Sequence, residues 1–191
     1  MKEGLRRSLL EMILKKSYRE GDFTLASGLK SKFYIDLKPT ILHPVGAKAL
    51  GDLAVEWMQQ EKLSFAGVGG LTLGADPIVM AISLSALNAG ITLPATMIRK
   101  ESKGHGTASQ GVVKLIEGIE NFAPQDRFLV VEDVVTTGGS AKKAIEILRA
   151  AGFNTTHVWS LVDREAGGKE EFQKMGLEFK AVFTLSELQK R

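Results

Sequence analysis

The sequence predicts an α/β fold, a central, mostly parallel sheet flanked by helices on both faces. Short apolar runs recur at Ser64–Val68, Ala95–Ile98, Arg127–Val131, His157–Val162 and Glu178–Phe183, with helical patterns at Ala75–Asn88, Gly139–Ala151 and Lys169–Met175 between most of them. Strand, loop and helix in repetition read as crossover units of a parallel sheet. The run Phe128-Leu129-Val130-Val131 is apolar at every position, as expected of a central strand covered on both sides. At 191 residues the chain is long enough for one domain with a substantial core.

Each element has its own reason. Leu5, Leu9, Met12 and Ile13 fall on one helical face, and Gly21-Asp22 marks a turn after it. Phe23–Ala26 and Lys32–Leu37 read as two strands around Ser27-Gly28. Pro44 opens a helix that turns Leu50, Leu53, Trp57 and Met58 inward, with His43 just before its start. Pro77 to Ile98 carries no charge over 22 residues, but Ser83, Ser85, Asn88, Gly90 and Pro94 interrupt it. It reads as a buried helix followed by a strand, not a membrane span. His157 lies inside an apolar strand and is expected as a core residue.

Composition narrows the chemistry. The absence of cysteine excludes disulfides, thiolate nucleophiles and Cys-ligated metal centres, and suits a cytoplasmic protein. Lys+Arg 25 against Asp+Glu 22 leaves a net charge of only +3, which permits a small anionic partner and calls for no nucleic acid. No signal peptide is expected at the N-terminus, and no partner membrane.

In parallel sheets of this kind ligands bind beyond the carboxyl ends of the strands. The informative segment is there. Val130-Val131 runs into Glu132-Asp133, then Val134, Val135, and a Thr136-Thr137-Gly138-Gly139-Ser140 turn that opens the next helix. Glycines allow close backbone approach, hydroxyls donate, and helix-start amides point at an anion. Two adjacent carboxylates would repel a phosphate, so they suit sugar hydroxyls or a hydrated Mg²⁺. The plain alternative is a helix capped by Ser140 or Thr137. A second cluster, Arg99-Lys100-Glu101-Ser102-Lys103-Gly104-His105-Gly106, packs cations and glycines into a loop after Ile98, which reads as a positively charged lid or as a solvated turn.

Val130–Ser140 resembles the phosphoribosyl pyrophosphate (PRPP) binding motif of the type I phosphoribosyltransferases. The basic loop, with its R-K-x-x-K-x-H-G pattern, is similar to that of the orotate phosphoribosyltransferase branch. The resemblance runs from Phe23 to Arg164 and implies the type I fold over residues 1–191, with residues about 1–40 forming a small N-terminal hood over the base. It implies that Glu132 and Asp133 hold the ribose, that Thr136 to Ser140 hold the 5-phosphate, and that Val134 and Val135 also border PRPP. Arg99, Lys100, Lys103 and His105 would meet pyrophosphate, and Lys103, His105 and Asp133 would be the catalytic groups. Thr72 and Leu73, in a Gly67–Pro77 turn that fails the G-x-G-x-x-G pattern, would line the pyrophosphate. Phe33, Tyr34, Thr136 and Arg164 would bind orotate. Mg²⁺ is implied as cofactor, carried mainly by PRPP and water near Glu132 and Asp133 and not by direct protein ligation. A homodimer is implied, with the lid reaching across the interface. Ala26 stands where many relatives have Lys, and some have Lys at the Leu73 position. Two other readings keep the fold: a purine phosphoribosyltransferase, disfavoured by the basic loop and Arg164, and a PRPP-sensing regulator, disfavoured by the intact lid chemistry.

Overall fold

The computed structural model describes residues 3–24, 28, 30–100 and 112–190. A helix α1 (Glu3–Lys16) leads into a hairpin of β1 (Tyr18–Thr24) and β2 (Lys30–Ile35). Then follow α2 (Lys38–Ile41), α3 (Pro44–Gln60), β3 (Gly67–Leu71), α4 (Asp76–Asn88), β4 (Ala95–Ile98), β5 (Ile116–Glu117), β6 (Arg127–Val135), α5 (Gly139–Ala150), β7 (Asn154–Asp163), α6 (Gly168–Lys174), β8 (Glu178–Thr184) and α7 (Leu185–Gln189). No helix among the described residues is long and apolar enough to cross a membrane.

The main sheet has the order β5-β4-β3-β6-β7-β8, and every pair is parallel except β4 with the short edge strand β5. Both faces are covered. Leu129 and Val131 of β6 pack with α1, α3 and α4, while Phe128 and Val130 pack with α5 and α6. Period-two alternation therefore buries every residue of that run, and each such side chain contributes about 1.5–3 kcal/mol of burial.

The hairpin forms a separate two-stranded sheet, whereas Leu9 and Ile13 of α1 join the main core. Gly21 and Asp22 lie within β1, not in a turn, and the pairing register shifts between Glu20 and Phe23. Gly21 absorbs that irregularity with a φ of 153°. Leu25, Ala26 and Ser27 lie outside the described residues.

Several strands differ from their predicted bounds: β1 begins at Tyr18 and not Phe23, β2 runs from Lys30 to Ile35 and not from Lys32 to Leu37, and β7 begins at Asn154 and not His157. The strand expected at Ser64–Val68 runs instead from Gly67 to Leu71, so Gly69 and Gly70 are strand residues. Packing explains them: a Cβ on Gly69 would lie 2.6 Å from Thr96 Cγ2, and one on Gly70 would lie 2.5 Å from the Val131 carbonyl oxygen. The strand expected to end at Val131 continues to Val135, so the acidic pair belongs to the strand itself. The short elements α2, β5 and α7 lie outside the sequence expectation.

Candidate active site

From β3 the chain crosses by α4 to β4 on one side; from β6 it crosses by α5 to β7 and by α6 to β8 on the other. The direction of winding reverses between β3 and β6, and a crevice opens beyond their carboxyl ends at such a switch point. The segments that follow Leu71 and contain Glu132-Asp133 meet there. The contact is tight, because a Cβ on Gly74 would lie 2.8 Å from Asp133 Oδ1. Asp133 Oδ1 also accepts the amide of Val134 at 2.8 Å. Gly74 belongs to the site, although in the sequence it reads only as part of a turn.

Glu132 is buried, and its Oε2 has no hydrogen-bond partner. Burial, reinforced by neighbouring Asp133, pushes its carboxyl up to about 8, while Lys100 pulls the other way. Glu132 lines a cavity of about 190 Å³ together with Val134, Val135, Thr136, Thr137, Gly138, Gly139 and Ser140. The predicted loop residues are thus gathered round one hollow.

The start of α5 suits an anion. Its N-cap is Gly138, in a left-handed conformation with φ 80°, and no side chain caps the helix. The alternative in which Ser140 or Thr137 caps it is absent here. The first amides of the helix have no intrahelical acceptors, and Gly138, Gly139 and Ser140 line the hollow. The loop is buttressed from behind: Gly168 donates its amide to the Thr136 carbonyl at 3.1 Å, and a Cβ there would lie 2.4 Å from Val135 Cγ1. Phe172 packs against Gly138, where an added Cβ would stand 2.8 Å from its ring.

Arg164 leaves the end of β7, and its amide donates to the Val135 carbonyl at 2.8 Å. It therefore sits beside Thr136. Its guanidinium lies over the Phe33 ring at 5.0 Å, which brings β2 to the site. Tyr34 is exposed and packs its ring against Phe23, with centroids 5.6 Å apart. Thr72 donates its amide to the Ile98 carbonyl at 2.8 Å, and Leu73 is exposed. Arg99 is already paired, its Nη1 lying 2.9 Å from Glu117 Oε1. Lys103 and His105 lie outside the described residues. A separate groove of about 400 Å³ between α1 and α3 is lined mainly by apolar side chains and contains none of the predicted site residues.

A mostly parallel sheet with a carboxylate pair and an uncapped Gly-rich helix start at its switch point marks a protein built to bind a phosphate-bearing ligand. Comparison with known proteins agrees. The phosphoribosyl transferase domain family matches residues 48–184. An orotate phosphoribosyltransferase from Nostoc sp. is 48% identical over 187 residues, covering 98% of this chain and 86% of that protein. One from Thermosynechococcus vestitus is 44% identical over 186 residues, covering 97% and 93%. A crystal structure of Mycobacterium tuberculosis orotate phosphoribosyltransferase in complex with PRPP superposes with a TM-score of 0.79 at 32% identity, covering 97% of this chain and 99% of that one. The chain belongs to the orotate phosphoribosyltransferase family of the phosphoribosyltransferases.

Proposed function

We infer that this protein transfers the 5-phosphoribosyl group from PRPP to orotate, giving orotidine 5-monophosphate and pyrophosphate, in pyrimidine biosynthesis. The observation that carries this reading is the pairing of two features at one switch point. Glu132 and the Gly-rich segment Val134–Ser140 line one hollow, and Arg164 leaves β7 beside Val135 with its guanidinium over Phe33. Orotate is an acidic base, and a guanidinium grips a carboxylate through two parallel N–H bonds.

Glu132 and Asp133 accept hydrogen bonds from the ribose hydroxyls. Gly139, Ser140 and the hydroxyls of Thr136 and Thr137 hold the 5-phosphate. Thr72, Leu73 and Lys100 border the pyrophosphate. Arg99 reaches it on exchanging Glu117 for the ligand. Lys103 and His105 neutralise the charge that develops as the C1–O bond breaks and orotate N1 bonds to C1. Positioning does the rest: Arg164, Phe33, Tyr34 and Thr136 hold the base so that N1 faces C1, and the basic loop keeps water from the sugar cation.

Mg²⁺ fits the oxygen-rich donor set. The unpartnered Glu132 Oε2 and the Asp133 carboxylate would accept hydrogen bonds from its water shell. As the family resemblance implies, PRPP and water would supply most of the coordination. When bound, the ion would offset the charge of the leaving pyrophosphate. The protein would work in the cytoplasm as a homodimer, with Lys103 and His105 acting in the partner's site.

The test is direct: with PRPP and Mg²⁺, orotate is consumed and orotidine 5-monophosphate appears in equal amount. Absence of that product from folded protein overturns the reading.

A further inference from the structure

The turn after β7 is held more firmly than an ordinary surface turn. The Glu165 amide donates to Asp163 Oδ1 at 2.8 Å, and the Arg164 amide donates to the Val135 carbonyl at 2.8 Å. Glu165 itself has φ 55°, a left-handed conformation that is uncommon for a long side chain. Its own carboxylate keeps it there. Glu165 Oε2 accepts from both the amide of Ser186, at 2.7 Å, and the Ser186 hydroxyl, at 2.5 Å. These bonds hold the Glu165 carboxyl below its usual range.

The anchor is itself fixed. Ser186 belongs to α7, and the next residue, Glu187, pairs with Arg6 of α1 at 2.5 Å. Arg6 also donates to the Val182 carbonyl at 2.9 Å and lies over the Phe183 ring at 4.6 Å. The first and last helices are thereby tied together. Arg164 differs. Among the described residues no side chain is hydrogen-bonded to its guanidinium, which lies over the Phe33 ring at 5.0 Å. Its direction depends on the backbone it leaves from.

We propose that Glu165 is a positioning residue for orotate recognition: by gripping Ser186 it fixes the turn that aims the Arg164 guanidinium at the carboxylate of the base. The proposal rests on the assignment of Arg164 to orotate made above. Phe33 supports the aimed guanidinium from below, and α7 serves as the bracket.

Glycine at 165 separates this role from that of a simple turn. A residue needed only for its left-handed backbone is replaced by glycine without loss, because glycine adopts that conformation freely. A residue that grips Ser186 is not. Steady-state kinetics on the full chain, with orotate and PRPP varied separately, and thermal denaturation would compare Glu165→Gly, Glu165→Gln, Ser186→Ala and Arg164→Ala. Glu165→Gly should raise the orotate KM roughly tenfold by misaligning the two-point grip, with the PRPP KM unchanged and Tm near that of the parent. Glu165→Gln, whose amide oxygen accepts the same two bonds, should restore most of the loss. Ser186→Ala keeps the amide donor and should raise the orotate KM about threefold. An unchanged orotate KM in Glu165→Gly, alongside a raised one in Arg164→Ala, overturns the proposal. If Arg164→Ala also leaves it unchanged, the assignment of Arg164 fails and the proposal fails with it. Should Glu165→Gly not fold, an unchanged orotate KM in Ser186→Ala overturns the proposal by itself.

Discussion

Replacing Gly74 with alanine tests the geometry of the ribose site through a residue that has no side chain to bind anything. The new Cβ would stand 2.8, 2.9 and 3.0 Å from Oδ1, Cγ and Oδ2 of Asp133, where ordinary contact begins at 3.4 Å. The carboxylate must therefore retreat by about 0.6 Å, and it can do so because it is the end of a side chain and not backbone. Gly74 does not need a left-handed φ, so the backbone accepts alanine without strain. A 1 Å misplacement at a reacting centre costs about 100-fold in rate, so a shift of this size should cost on the order of tenfold in kcat/KM for PRPP. The orotate KM should change little, because Arg164 and Phe33 are untouched. Initial-rate measurements with each substrate varied, and a thermal melt to verify folding, read all three quantities. A Gly74→Ala protein with parental kcat/KM for PRPP would refute the placement of Asp133 at the ribose.

Other outcomes follow from the same geometry. Gly168→Ala drives a methyl to 2.4 Å from Val135 Cγ1 and 3.0 Å from the Thr136 carbonyl oxygen, so it should destabilise the fold by about 1–3 kcal/mol in denaturant unfolding; an unchanged midpoint contradicts the packing described. Lys103→Ala should lower kcat far more than Tm, and mixing it with a phosphate-loop variant should recover activity through hybrid dimers. No recovery despite subunit exchange counts against a lid that acts across the interface. Glu132 is neutral-favoured in the folded state, from an ordinary 4.5 up to about 8, chiefly by burial. The raised value means the folded chain keeps a proton that the unfolded chain has lost, so this contribution to stability is complete below about pH 4.5 and declines as pH rises to about 8. Across that window the parent should lose more Tm than Glu132→Gln, and parallel curves would contradict the burial argument.

The sheet was legible because its strands are buried on both faces. A run such as Phe128–Val131, apolar throughout and bounded by Asp126-Arg127 and Glu132-Asp133, is too short for a buried helix. The phosphate loop was legible for a related reason, since glycines and hydroxyls at a helix start have a specific chemical use. Strand ends were harder. Gly69 and Gly70 carry the local signature of a turn, yet they lie in β3 because Thr96 and Val131 approach too closely for any side chain. That crowding is a property of the assembled sheet. Glu132 and Asp133 look like a loop in sequence, but pairing with β7 as far as Val135 extends the strand through them. The contacts of Gly74 with Asp133, Gly168 with Val135 and Glu165 with Ser186 join residues far apart in the chain or differing in element, and no local pattern announces them. The motif leaves Arg99 free for ligand, whereas its pairing with Glu117 depends on an edge strand of two residues.

The proposed function requires that the site take an acidic pyrimidine and not another base. The measurement that tests it most directly offers the protein a panel of nucleobases, each with PRPP and Mg²⁺, and follows pyrophosphate release. Orotate should support turnover, while adenine, hypoxanthine, guanine and uracil should give only background release. Turnover with a purine that equals or exceeds that with orotate would contradict the account.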